Sequence, residues 1–476
     1  MLQPYIRFYF LLAIVIISGC SESESDNCPD ALAPDIRAVA QCSILEVPQN
    51  RTRNTGITLK LPIVRFNSPV RSSKPPLLYL EGGPGASALS RAEMQGPGLA
   101  KLLQRDIIFL EQRGTINTSP SLVCKANDTE EQCKEQWKQD RIDLPSYNTI
   151  ESAEDVAQLS KNLRTPFVIW GSSYGTLLAQ RVVQRHPEVV DSLILEGSIP
   201  SDSSDHFTAA NKVNKLVLGR FAQWIKKKWS EAQLSPFDID PEIDFPEAIQ
   251  KVAKFPFGYG VPGTETLANV EYFMQVGRNL PKLQLSLALW AYNVHHDLEQ
   301  KQSAEWLESL LFGYGQRLLF DISHNMHFAT NCSDAYQFWS IYEISQTESN
   351  SGMPENIEKL NMTNRSQLLR SCKGLGRDPS GYPAYEFRIP AKTYKNTLFL
   401  IGMLDTQTPA EFAPVSNFPN AKIARAECLG HSFFVDPSLF GILKSFLETP
   451  NAPIPTYLID AHCNKPIEKQ TLKPIL

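Results

Sequence analysis

The chain has 476 residues, 42% of them hydrophobic and 20% charged, with a formal net charge of −5. That balance belongs to a folded globular chain and excludes a disordered or low-complexity one. The mild acidity also argues against nucleic acid as a partner, because a phosphate backbone calls for a basic face.

Residues 1–19 carry one charge, Arg7, before an apolar run from Phe8 to Ile17. The run is too short for a comfortable membrane span and reads as a secretory signal. Ile17-Ser18-Gly19-Cys20 resembles a bacterial lipobox, whose cleavage would leave Cys20 as the lipid-modified first residue. Residues 20–30, with Ser and Glu concentrated from Ser21 to Asp26, read as a flexible tether. Ser21 after the cysteine resembles the outer-membrane sorting pattern of Gram-negative lipoproteins. The expectation is an exported chain, lipid-anchored and facing the periplasm.

Residues 31–200 read as the first part of a core. Cys42 to Pro48 and Ile57 to Val64 are expected strands, and Leu77-Leu78-Tyr79-Leu80 is an apolar strand entering Glu81-Gly82-Gly83-Pro84-Gly85. Glycines in that loop let backbone amides face a developing negative charge, with Gly83 the expected donor; Pro84 removes one donor and stiffens the turn. Phe167 to Trp170 is a further strand, followed by Gly171-Ser172-Ser173-Tyr174-Gly175 and a helical run from Thr176 to His186. Strand, sharp turn and helix together lift a serine hydroxyl above the end of a parallel sheet. Leu193-Ile194-Leu195 gives the next strand, ending at Glu196.

Residues 201–389 change character. Phe207 to Trp229, Leu267 to Val276, Gln284 to His295 and Ser303 to Leu311 carry helix-spaced apolar residues between Pro- and Gly-rich turns. This reads as a mainly helical cap inserted over the active edge. Lys226-Lys227-Lys228 within it reads as a solvated helix face. Residues 390–476 return to the core: Thr397 to Gly402 is a buried strand that delivers Asp405, and Ala421 to Ala426 is another, followed by Gly430-His431.

No one of these features decides a function alone. An Asp after a strand is often only a helix N-cap. Among the eight histidines, His186 sits at a helix end, His206, His295, His296, His324 and His327 lie in the cap, and His462 is near the C-terminus. His431 alone joins a strand, a glycine and a preceding strand–Asp unit. Ser173, Asp405 and His431 also follow the chain order of α/β-hydrolase triads. In that fold the oxyanion hole takes one N–H from the residue after the nucleophile, here Tyr174, and one from the early glycine loop.

The motif set resembles the proline iminopeptidase and tripeptidyl aminopeptidase branch of the α/β-hydrolases. It comprises Gly82 to Gly85, Glu111-Gln112-Arg113-Gly114, Gly171 to Gly175, Asp405 to Pro409, and Gly430-His431. The resemblance implies a mostly parallel sheet flanked by helices, with a large cap between nucleophile and acid. Glu81 stands where the iminopeptidases have His, Glu111 replaces Asp, and Thr115 to Thr118 breaks their glycine-rich continuation. These departures spare the triad and bear on the substrate.

Setting Cys20 aside leaves eight cysteines, an even number in an exported chain, which argues for disulfides. Nearest-neighbour pairing would give Cys28–Cys42, Cys124–Cys133, Cys332–Cys372 and Cys428–Cys463, although eight cysteines allow about 105 connectivities. No cysteine pair has zinc-finger spacing, no His/Glu cluster suggests a catalytic metal, and no phosphate-binding loop or Rossmann glycine pattern is present. No cofactor or metal is expected.

The expected function is serine hydrolysis by Ser173, Asp405 and His431 through an acyl-enzyme, most simply as an exopeptidase on free N-termini. A carboxylic-ester hydrolase with the same triad is the alternative. A catalytically silent hydrolase-fold lipoprotein that binds a ligand is a third reading. An aminopeptidase must pair the buried substrate ammonium with a carboxylate. Glu81 and Glu196 stand nearest the expected active edge, and either could equally be a structural ion-pair partner.

Overall fold

The computed structural model describes residues 28–125, 128–201, 216–217, 219–228, 240, 243–244, 247–248, 295–296, 323–334, 372, 381–405, 407–433 and 437–464. The expected signal segment, Cys20 and most of the expected cap lie outside the described residues. Among those described, no helix is long and apolar enough to cross a membrane.

The first two strands, β1 (Gln41–Pro48) and β2 (Thr58–Phe66), pair antiparallel. β3 (Leu77–Leu80), β4 (Ile107–Leu110), β5 (Phe167–Ser172), β6 (Val190–Glu196), β7 (Asn396–Gly402) and β8 (Ala421–Ala426) run parallel to one another. The order across the eight-stranded sheet is β1-β2-β4-β3-β5-β6-β7-β8, with β2 antiparallel to β4. Every residue of β3, β4 and β5 is buried, which is why they read as unbroken apolar runs and not as alternating ones.

Helices cover both faces. After the short α1 (Pro34–Arg37) come α2 (Ala88–Leu103), α3 (Glu130–Gln139), α4 (Thr149–Leu163) and α5 (Tyr174–Arg185). Later in the chain are α6 (His324–Asp334), α7 (Phe440–Glu448) and α8 (Thr456–Cys463). Leu78, Leu80, Ile169 and Leu195 pack with Val156 of α4 and Leu178 and Val182 of α5. Leu77, Tyr79, Trp170 and Ile194 pack on the other face with Leu99 of α2, Phe446 of α7 and Ile459 of α8. Each fully buried Leu, Ile or Phe contributes about 1.5–3 kcal/mol, so the two layers hold the sheet between them.

Parallel register lines up the strand ends. Leu80 pairs with Gly171, Ser172 with Glu196, and Glu196 with Leu400. The loops after β3, β5, β6 and β7 therefore leave from one edge, where α/β sheets place their ligands. Expected α5 starts at Thr176, but the helix begins two residues earlier at Tyr174, because Ser173 makes the whole turn itself.

Away from that edge, Arg113 is fully buried and ties four segments together. It forks onto Asp155 of α4 at 2.8 and 2.7 Å and donates to the carbonyls of Gln49 and Ser146, both at 2.8 Å. Glu151 lies 3.4 Å away. Burial works against the guanidinium, yet Asp155 and Glu151 outweigh it and raise its pKa.

The eight cysteines lie within bonding distance as Cys28–Cys42, Cys124–Cys133, Cys332–Cys372 and Cys428–Cys463, the nearest-neighbour set. Cys428–Cys463 joins the segment after β8 to α8. Helix α6 falls inside the expected 201–389 cap and seats on the core. Ser323 N–H, just before it, donates to Gly85 O at 2.8 Å, Asn325 donates to Leu122 O, and Asp334 accepts the Thr149 N–H at the start of α4.

Candidate active site

Ser173 occupies the turn between β5 and α5 with φ +54° and ψ −122°, a conformation that costs a non-glycine residue about 1–3 kcal/mol. The surroundings hold it there. Its N–H donates to Glu196 O at 2.8 Å, and its carbonyl accepts from Thr176 N–H at 2.8 Å and Thr176 Oγ1 at 2.6 Å. A Cβ on Gly175 would strike the Leu80 carbonyl, and one on Gly171 the Gly175 backbone, so the flanking glycines are dictated by close packing. Ser173 itself is only partly covered.

Asp405 lies just past β7 and is buried. Its Oδ1 accepts the N–H groups of Gln407 and Thr408 at 2.9 and 3.0 Å, and its Oδ2 accepts Thr408 Oγ1 at 2.5 Å. Oδ2 also meets His431 Nδ1 at 2.9 Å. Burial pushes the Asp405 pKa up, but His431 and these hydrogen bonds outweigh it and hold the carboxyl below its ordinary range. Thr408 also lies 3.2 Å from His431 Nδ1.

The Glu196–Gly197 step joins nucleophile to histidine. Glu196 O holds the Ser173 N–H, while a Cβ on the next residue, Gly197, would come within 3.0 Å of His431 Cε1. Glycine is needed there both for that approach and for its φ of +61°.

The glycine loop closes the other side. A Cβ on Gly82 would lie 2.8 Å from the Ser173 Cβ, so the loop rests directly on the nucleophile. Gly83, with φ +112°, comes next, and Tyr174 opens α5. Gln112 Nε2 donates to Glu81 O at 2.7 Å from below the loop. Glu111 accepts from Ser87 Oγ at 2.5 Å, Leu89 N–H at 3.1 Å and Thr115 Oγ1, so it caps the start of α2.

A model of the α/β hydrolase fold matches residues 75–228. The chain has the α/β-hydrolase fold. Among curated relatives, a probable proline iminopeptidase of Streptomyces coelicolor is 30% identical over 126 residues, covering 26% of this chain and 32% of that protein. A proline iminopeptidase of Arabidopsis thaliana is 29% identical over 132 residues, covering 27% and 28% respectively. The chain thus spans under a third of the length of either relative. Among solved structures, the proline iminopeptidase of Mycobacterium smegmatis has a TM-score of 0.43 at 14% identity, covering 85% of this chain and 98% of that one. An esterase from Exiguobacterium antarcticum has a TM-score of 0.34 at 15% identity, covering 82% and 96%.

Within the hydrolase fold, the two glutamates singled out as candidates for a substrate amine are both engaged by the protein. Glu196 is buried; its Oε1 accepts the Phe433 N–H at 2.7 Å and its Oε2 the Trp170 indole at 3.1 Å. It braces the loop that carries His431. Glu81 accepts the Gly82 N–H and the Tyr79 hydroxyl.

Other histidines take other places in the fold: His186 lies 3.0 Å from Glu154, and His462 sits on α8. Thr408, Gln112 and Glu111 were not foreseen as part of the site. Thr408 sits inside the Asp405–Pro409 motif, which is the signal that could have found it. One grouping capable of holding a metal ion was also missed. Asp244, His295 and His296 bring their candidate ligand atoms within 4.8 Å of one another, with Asp244 Oδ1 and His295 Nδ1 2.7 Å apart. Fifty-one residues separate Asp244 from His295, so no spacing rule reveals it.

Proposed function

We propose that the chain is a serine hydrolase cleaving peptides from a free N-terminus, with Ser173 as nucleophile, His431 as general base and Asp405 as its orienting acid. The observation that carries this is the strained Ser173 elbow and the Asp405–His431 pair meeting at the Glu196–Gly197 step. With Nδ1 held by Asp405, Nε2 is the nitrogen left to take the Ser173 proton and return it to the leaving group. The attacked carbonyl becomes an oxyanion, stabilised by the Gly83 and Tyr174 N–H groups and by the positive end of α5. Water then repeats the sequence on the acyl-enzyme.

Burial pulls the His431 pKa down, while Asp405 most strongly, then Glu196 and Glu81, push it up, and the balance lies above the ordinary 6.5. A general base must be neutral to act. Activity should therefore fall as pH drops through a value above 6.5, and a kcat/KM–pH profile reads it. An acid limb centred below 6.5 would contradict this electrostatic account.

The peptide preference draws on the similarity to proline iminopeptidases over the 126 aligned residues. The ester alternative draws on the engagement of Glu81 and Glu196 by protein groups, which takes both nominated carboxylates away from a substrate ammonium. Peptidyl amides with a free amine should be cleaved and their N-acetylated forms should not. Equal cleavage of both, or turnover of short acyl esters alone, would move the chain to the ester reading.

Export and lipid anchoring at Cys20 complete the proposal; four disulfides are consistent with an oxidising compartment.

A further inference from the structure

Glu81, at the entry to the glycine loop, directs its carboxylate to protein groups. Oε1 accepts the Gly82 N–H at 2.9 Å and the Tyr79 hydroxyl at 3.1 Å. Oε2 lies 3.7 Å from Nε of Arg91 on α2, and that guanidinium sits over the Tyr79 ring, 5.6 Å from its centroid. Side-chain exposure is only 14% for Arg91 and 16% for Glu81. Tyr79 in turn meets Trp170 edge-on, and Trp170 donates to Glu196. A chain of contacts, polar except for the Tyr79–Trp170 ring contact, thus runs from the glycine loop to the loop of His431.

Two facts give this chain a role in positioning. The Glu81 backbone is held at its carbonyl by Gln112, while its side chain holds the next N–H, that of Gly82. Both polar atoms of the Glu81–Gly82 peptide are therefore clamped. Gly82 also abuts Ser173 so closely that a small rotation of its peptide would carry the loop into the nucleophile or away from it.

We propose that Glu81 is a positioning residue: its carboxylate captures the Gly82 N–H and, with Gln112 on the Glu81 carbonyl, fixes the Glu81–Gly82 peptide and through it the orientation of the next peptide, whose Gly83 N–H faces the oxyanion. Gly82 N–H is spent on Glu81 and does not serve the oxyanion. A substrate ammonium would have to share this carboxylate with Gly82, Tyr79 and Arg91, which weighs against Glu81 as the amine anchor. The catalytic half of this inference rests on the serine-hydrolase reading; the clamp itself does not.

Capture of an N–H needs an acceptor, whereas the influence on His431 needs a charge, and that difference separates two variants. Glu81→Gln keeps an acceptor oxygen for Gly82 and loses the charge; Glu81→Ala loses both. The carboxylates that act on His431 are Asp405, Glu196 and Glu81, with Arg91 and Tyr79 standing behind Glu81. On an acyl ester, Glu81→Ala should lower kcat on the order of 10²-fold with KM little changed, the scale of a displaced oxyanion donor. Glu81→Gln should recover most of that loss. In both variants the acid limb of the pH profile should move to lower pH, because one negative charge near His431 is gone.

Hydrogen–deuterium exchange of the 80–86 segment reads the clamp without any substrate. Exchange should quicken in Glu81→Ala and stay near wild type in Glu81→Gln. If Glu81→Ala does not fold, Gln112→Ala releases the carbonyl of the same peptide and should show the same faster exchange and kcat-only loss. Unchanged exchange in the loop, equal loss in both Glu81 variants, or a rise in KM at constant kcat would overturn the proposal. A wild-type chain that neither hydrolyses nor labels would overturn the serine-hydrolase reading instead, and the exchange measurement would still decide the clamp.

Discussion

Ser173→Ala should abolish both covalent labelling by a fluorophosphonate and turnover of every substrate, with kcat falling by about 10⁶-fold where a triad acts as a unit. The loss is expected to be confined to chemistry. Ser173 is partly exposed and its side chain makes no capping hydrogen bond to α5, so removing Oγ leaves the packing of the elbow in place. The turn is held by backbone groups, namely Ser173 N–H on Glu196 O and Ser173 O under Thr176. Circular dichroism and melting should match wild type. Labelling that persists on the variant would assign the nucleophile elsewhere, and an unlabelled wild type would favour the silent binding protein.

Arg113→Met should cost about 3–5 kcal/mol of stability, because it leaves Arg51 to neutralise two buried carboxylates, those of Asp155 and Glu151. Two carbonyls, of Gln49 and Ser146, would lose their donor as well. A methionine fills much of the same volume, so the cost comes from stranded charge and not from a cavity. Arg51, which also pairs with Asp155 and Glu151, sets the lower end of the range by sharing the load. A urea midpoint shift reads the effect, and the specific activity of the molecules that remain folded should be unchanged. A stability loss under about 1 kcal/mol, the scale of a surface pair, would mean that water reaches these acids.

Together the variants separate two kinds of residue within one motif set. Ser173 is strained, partly exposed and held by backbone, as a reacting group must be. Arg113 is wholly buried and holds four segments together. Both stand in short runs shared with the resembling peptidases, and the runs alone do not tell a reacting residue from a packing one.

Much of the fold is legible in residue order because it rests on local chemistry. Apolar runs such as Leu77–Leu80 and Phe167–Trp170 suit parallel strands buried on both faces between helices, and a serine between glycines after such a strand has few alternatives to a tight elbow. The order Ser173, Asp405, His431 adds topology to that, since each follows a strand of the same sheet. What the residues could not decide was which way a side chain faces once several segments converge. Glu81 and Glu196 were nominated for a substrate amine from their place at the strand ends; the fold turns Glu196 to Trp170 and Phe433, and Glu81 to Gly82, Tyr79 and Arg91. Thr408 on Asp405, Gln112 under the loop, and the meeting of Asp244 with His295 and His296 arise in the same way. Strand and turn signals are set by neighbours a few residues apart, whereas hydrogen bonds from Glu196 to Phe433, or Gln112 to Glu81, span long stretches of chain and exist only after the sheet has brought its ends to one edge.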